Sequence, residues 1–333
     1  MKLALLFAVS IASTASVGFA GTVASPYQIG TWQGFRTAAV SYTFDGNLGK
    51  QYSVAVPMFN AKGFKLSLCT VTGWVSSWSS IQSAAASGHE IASLTVDHTS
   101  FGGMSAANQT AECKNSQSAI NSHVTNQKCV SLAYPNGVRG SDSITSQYYI
   151  GARSCSGQIN SSTPDFMFIG SHVCGSAGAT KTATDFNNVA NNAANSGGWC
   201  VFTIHALDNE SGYSPLASSV LQSSVDYMNS NRSKFWVQTF GNVVRYIRER
   251  NAASVSQVAS TATSLTVRVT DGLSNSTYNF PITIRRPLPS GWSSASASQS
   301  GKDLGAQIVT VNGVQNVMFD VVPDTGDVSI LKK

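Results

Sequence analysis

The chain has 333 residues, a formal net charge of +5 and only 11% charged side chains, with Ser, Asn, Thr and Gly taking the surface role. Such a composition argues against a nucleic-acid binder, which shows clustered Lys and Arg, and suits a neutral, hydroxyl-rich partner. The one dense basic cluster, Arg245, Arg248 and Arg250, reads as a solvated helix face.

The first element is a leader. Lys2, the apolar run Leu3 to Ile11 and the small residues ending Gly18-Phe19-Ala20 have the charge, core and cleavage pattern of a secretory signal peptide over residues 1–20, cut after Ala20. The chain is therefore expected to be secreted, and no later stretch is apolar enough to span a bilayer. The six cysteines, Cys69, Cys113, Cys129, Cys155, Cys174 and Cys200, fit an exported disulfide protein, although six allow fifteen pairings. Cys113 with Cys129 and Cys155 with Cys174 are the preferred pairs. Cys69 and Cys200 lie in strand-like runs, where buried thiols are as reasonable as a bond.

From residue 37 the pattern alternates strand and helix. Strands are expected over 37–44, 64–71, 90–96, 130–134, 150–152 and 199–204, and helices over 51–62, 76–87, 105–122, 141–148, 182–194 and 243–251. This alternation predicts an α/β fold, a mainly parallel sheet or barrel wrapped by helices, whose chemistry gathers at the carboxyl ends of strands. Asp45, His98 and His205 all fall at such ends. After residue 253 the pattern becomes apolar-polar alternation over 264–270, 278–285, 306–311 and 317–322, with turns at Asp271-Gly272, Asn312-Gly313 and Asp324-Thr325-Gly326. A small all-β, sandwich-like domain is expected over 254–333 behind an α/β domain over 21–253. Ser290 to Ser300 reads as a loop or linker.

Taken singly, Thr43-Phe44-Asp45-Gly46, the His98 loop, the Tyr134-Pro135-Asn136-Gly137 turn and Thr203-Ile204-His205 are weak signals. A strand-ending Asp commonly caps a loop, and most such turns only reverse the chain. In this order and spacing, together with Gly63-Phe64-Lys65, Gly88-His89-Glu90-Ile91 and the segment from Ile204 to Pro215, the chain resembles the NodB-type polysaccharide deacetylases, carbohydrate esterase family 4, over roughly residues 36–250. The resemblance implies a distorted parallel (β/α) barrel, a divalent, zinc-like metal and an acetylated polysaccharide or oligosaccharide as partner: chitin, peptidoglycan or xylan. It implies Asp45 as general base, His205 as general acid, His98 as a metal ligand and Tyr134, with Asn136 in the same motif, beside the substrate. Trp74, Trp78 and Tyr213 are candidates to line the groove, and Asp208 and Glu210 either orient His205 or cap a loop.

Two departures bear on the metal. The acid that the family places after the base is Gly46 here, and the first histidine of its second motif is Leu94. Neither side chain can ligate, and a usable zinc site needs about three convergent ligands. Asp45 and Asp97 are the possible replacements. Three functions stay open: an exported deacetylase, a pseudoenzyme that binds glycan without turnover, and a structural surface module.

Overall fold

The computed structural model describes residues 21–333. The expected leader lies outside the described residues. Gln28–Ile29 forms β1, a short strand ahead of the α/β unit. There follow β2 (Ala38–Asp45), α1 (Val56–Ala61), β3 (Ser67–Thr70), α2 (Ser79–Ala86), β4 (Glu90–Ser93), α3 (Ala106–His123), β5 (Ser131–Ala133), α4 (Asp142–Thr145), β6 (Gly151–Arg153), β7 (His172–Val173), α5 (Ala183–Ser196), β8 (Trp199–Ile204), α6 (Ser218–Ser230), β9 (Phe235–Val237) and α7 (Phe240–Ala252). The strands β2 to β9 make one parallel sheet in the order β6-β5-β4-β3-β2-β8-β7, with β9 also on β2. A bridge between Arg153 and Ile169 draws its two edges together into a curled barrel. The expected α/β barrel is therefore present.

Burial explains the order of the sheet. All eight residues of β2 are buried, as a strand covered on both faces requires. Val40, Tyr42 and Phe44 point out to Phe59, Phe186 and Phe202 beneath the helices. The alternate residues Ser41, Thr43 and Asp45 point the other way, and their polar atoms are satisfied inside. Ser41 Oγ donates to the Gln238 carbonyl (2.8 Å), and Thr43 Oγ1 to that of Phe202 (2.8 Å). Helix α5 starts where the sequence places it, because Thr182 and Asp185 form a reciprocal capping box.

The all-β part consists of β10 (Ser254–Ser260), β11 (Ser264–Thr270), β12 (Ile282–Pro287), β13 (Ala295–Gln299), β14 (Lys302–Asp303), β15 (Gln307–Val311), β16 (Val314–Val321) and β17 (Val328–Lys332). They form two antiparallel sheets, β10-β11-β17-β13-β14 and β1-β12-β16-β15. The stretch 290–300, read as a loop, contains β13: its small alternating residues Ala295 and Ala297 are buried against β17. Residues ahead of the barrel belong to the same layer, since Gln28 pairs with Arg285. Trp199, Trp236, Tyr246, Ile282 and Ile330 share one apolar core, so the β layers close the amino-terminal end of the barrel.

Arg245, Arg248 and Arg250 do not form a solvated face. All three are half-buried. Their guanidinium groups donate to the carbonyls of Thr277, Ile150, and Thr31 with Ser162, respectively. Helix α7 is thus fastened to its surroundings through carbonyls that the sequence pattern does not display. All six cysteines are free thiols, and neither Cys113–Cys129 nor Cys155–Cys174 is bonded. Cys113 and Cys129 are buried within the apolar core, whereas Cys155 is exposed and Cys174 is fully covered.

Candidate active-site cleft

The register of the central strands builds the site. Phe44 on β2 lies opposite Ile204 on β8, so the next residues, Asp45 and His205, emerge side by side at the carboxyl ends. Gln51, buried in a turn of π-helix, donates from Nε2 to the carbonyls of both Asp45 (2.7 Å) and His205 (3.2 Å) and ties the two strand ends together. Such π-turns recur at functional sites. Around these ends opens a cleft of about 570 Å³, a size usual for a small-ligand site.

The cleft brings together most of the sequence candidates. Asp45, His98, Tyr134, Asn136, His205, Trp74 and Tyr213 all line it, as do Gly46 and Leu94. Trp74 and Tyr213 are 55% and 59% exposed, an unusual cost for large rings and a suitable one for stacking on a sugar face. The Trp74 ring lies 5.5 Å from that of His98, and Tyr213 meets His205 edge-on at 4.9 Å. Trp78 is elsewhere, stacked on His123 at 4.3 Å. Asp208 and Glu210 act as caps: Asp208 Oδ1 accepts from the Ser218 N–H (2.8 Å), and Glu210 Oε1 from that of Lys50 (3.0 Å).

The decisive side chain is one the motif reading passed over. Arg153 ends β6, is 1% exposed, and donates through Nη2 to both carboxylate oxygens of Asp45 at 2.7 and 2.5 Å. Its Nη1 donates to Thr203 Oγ1 (2.7 Å) and Ser171 Oγ (3.2 Å) and faces Cys155 Sγ at 3.6 Å. Burial disfavours its charge, but the carboxylate of Asp45 more than offsets this, and the guanidinium is held above its ordinary range. A charged residue closing the short buried run Gly151-Ala152-Arg153 was the available signal, because a charge rarely enters a barrel without a partner. His205 is pulled the other way. Burial lowers its pKa, Asp45 opposes the shift, and Arg153 and His98 add to it. Its Nε2 stands 3.9 Å from Asp45 Oδ2, and its Nδ1 is buried without a partner among the described residues.

The donor set does not fit a divalent metal. Gly46 and Leu94 offer no ligand atom, and both oxygens of Asp45 are taken by Arg153. Asp97 does not substitute. It is exposed, and its Oδ1 accepts from the Thr99 N–H at 2.8 Å in a tight turn. The β4 alternation stops at Ser93, and Thr95 and His98 both take positive φ, so the loop leads Asp97 away. Among the described residues no three His, Cys, Asp or Glu side chains converge on a metal position. The Tyr134 N–H donates to the Arg153 carbonyl at 2.9 Å. The phenol is buried, which raises its pKa to about 12 despite the nearby Thr145 hydroxyl.

Residues 34–154 match the family model described as polysaccharide deacetylase. The α/β unit has the NodB-type (β/α) barrel fold. This NodB-type unit aligns with a chain of Mycobacterium smegmatis assigned as a polysaccharide deacetylase at 16% identity, covering 69% of this chain and 94% of that one with a TM-score of 0.50. An allantoinase aligns at 13% identity over 66% of this chain and 92% of its own, also at 0.50. At such identities these likenesses concern the fold. A gellan lyase of a Bacillus species is 27% identical over 328 residues, which is 91% of this chain and 13% of that protein. The chain therefore spans about an eighth of that relative's length, and the alignment runs through the β layers as well as the NodB-type unit.

Proposed function

We propose that the protein is an exported, glycan-binding derivative of the polysaccharide deacetylase scaffold that does not carry out metal-assisted deacetylation. The observation that carries this reading is the Arg153–Asp45 pair, which engages the carboxylate that would serve as base or ligand. Gly46 and Leu94 remove the other expected ligands, while the open cleft keeps two exposed rings beside its polar floor. Export rests on the leader pattern of residues 1–20, and none of the described helices is long and apolar enough to cross a membrane. The gellan lyase likeness agrees with a place among proteins that handle polysaccharides.

The test measures metal content, acetate release and binding on acetylated chitin oligomers, peptidoglycan and acetylxylan. The expected result is glycan binding that is lost in Trp74→Ala and Tyr213→Ala, with neither stoichiometric metal nor acetate. Asp45 and His205, 3.9 Å apart, favour a second reading, metal-free deacylation by this acid-base couple. Acetate release by the native chain that disappears in His205→Ala would establish that reading and overturn the first.

A further inference from the structure

At the amino ends of the strands, opposite the cleft, three adjoining depressions of about 230, 360 and 400 Å³ run from the surface beside Gly88 in the NodB-type unit to its seam with the β layers at residues 276–279. Lys128 lies on the wall of all three, and Arg245 on two of them. Both cations are available. Lys128 is exposed, and neither side chain forms an ion pair among the described residues. Arg245 uses Nε on the Thr277 carbonyl and Nη1 on Asn242 Oδ1, both at 2.8 Å, which leaves Nη2 uncommitted among the described residues. Burial holds this guanidinium below its ordinary range, against the opposing pull of Glu90 and Glu249, so its charge is poorly solvated. An arriving anion gains most from such a group.

The single acid on these walls is Glu90, and it is spent inward. Its carboxylate accepts from Ser67 Oγ (2.6 Å), Ser131 Oγ (2.5 Å) and the Gly241 N–H (2.8 Å). The remaining wall is neutral and rich in hydrogen-bonding groups: the amides of Asn126 and Asn279 and the hydroxyl of Ser276. Two cations set among amides and hydroxyls suit a ligand that is mostly hydroxyl with intermittent carboxylates. A nucleic acid would call for many more cations.

We propose that this seam is a second saccharide site, for an oligosaccharide bearing uronate carboxylates, independent of the cleft. The full chain is titrated calorimetrically with short oligogalacturonates, their methyl esters and inorganic phosphate. The acid form should bind, with affinity falling as salt rises. Lys128→Glu, at an exposed position whose folding a thermal melt confirms, should weaken it roughly tenfold or more. Tyr213→Ala, in the cleft, should leave it unchanged. The proposal is overturned if the acid form does not bind, if the methyl ester binds equally, or if phosphate alone binds as well. It also fails if Tyr213→Ala abolishes binding while Lys128→Glu does not.

Discussion

At the carboxyl ends of the strands, Arg153 meets Asp45 directly, side chain to side chain, in a place nearly closed to water. At the amino ends, Arg245, Arg248 and Arg250 are also drawn out of water, yet each donates to main-chain carbonyls. The first arrangement makes a buried cation depend on one carboxylate; the second distributes positive charge over peptide dipoles that the fold presents regardless of sequence. A direct buried pair is therefore the more fragile device, since removing one partner strands the other. The same pair engages both carboxylate oxygens of Asp45 inside the cleft, whereas the helix arginines lie away from it.

The sharpest way to break this contrast is Asp45→Asn or Arg153→Met, either of which should cost roughly 3–5 kcal/mol in denaturant unfolding. The double change Asp45→Leu with Arg153→Met should recover much of that loss, because no unpaired charge is left. A single change without effect would show the pair to be solvated after all. Arg248→Met, by comparison, should lose far less, as its partner is a neutral carbonyl.

Two titrating groups at the amino end provide the next test, with opposite signs. Burial raises the carboxyl of Glu249 to about 8, against the Phe280 N–H that donates to it. Between about 4.5 and 8 the folded chain keeps a proton that the unfolded chain releases, so stability falls as pH rises across that window. The change is on the order of a few kcal/mol, and Glu249→Gln should flatten it. Burial, with Lys65 adding to it, lowers His89 to about 4. Its Nδ1 accepts from the Leu66 N–H (3.2 Å), as a neutral ring must. Here the unfolded chain takes up the proton first, and stability falls as pH drops from 6.5 towards 4, by about 2–3 kcal/mol. His89→Gln should remove that limb of the pH-stability curve.

Rebuilding the absent ligands addresses the cleft itself. A Cβ on Gly46 would meet nothing within 4 Å, although its φ of +94° opposes any side chain with a strain of roughly 1–3 kcal/mol. Gly46→Asp with Leu94→His should gain zinc measurable by metal analysis while the native chain is expected to show none, and more fully when Arg153→Met also frees Asp45. The smallest effect belongs to the capping box: Thr182→Ala should lower stability by about 1 kcal/mol without touching the cleft.

Much of the barrel was legible in the sequence because fully buried strands such as Trp199–Ile204 are unbroken apolar runs and α5 announces itself by its cap. The two-residue strand His172–Val173 and the three-residue Phe235–Val237 were missed, being too short to show a period. The helix Asp142–Thr145 is one turn where eight residues were expected. In the cleft, Asp45, His98 and His205 could be placed because strand ends are readable. Arg153 could not be paired, since its partner lies 108 residues away and only the curl of the sheet joins them. The left-handed turns at Thr95 and His98 likewise end an alternation that propensity alone would have continued through Asp97.

The pairing of Gln28 with Arg285 spans 257 positions, and Arg285 Nε also donates to Gln28 Oε1 at 2.8 Å. During synthesis the first of these segments must wait, unpaired, until the whole barrel and the strands β10 and β11 have been made. Contacts of such separation carry the largest loop-closure cost and form late. The β layers are thus the last part to be completed: a ribosome-bound chain ending at α7 would carry the barrel above an uncovered apolar floor, which only the last strands seal.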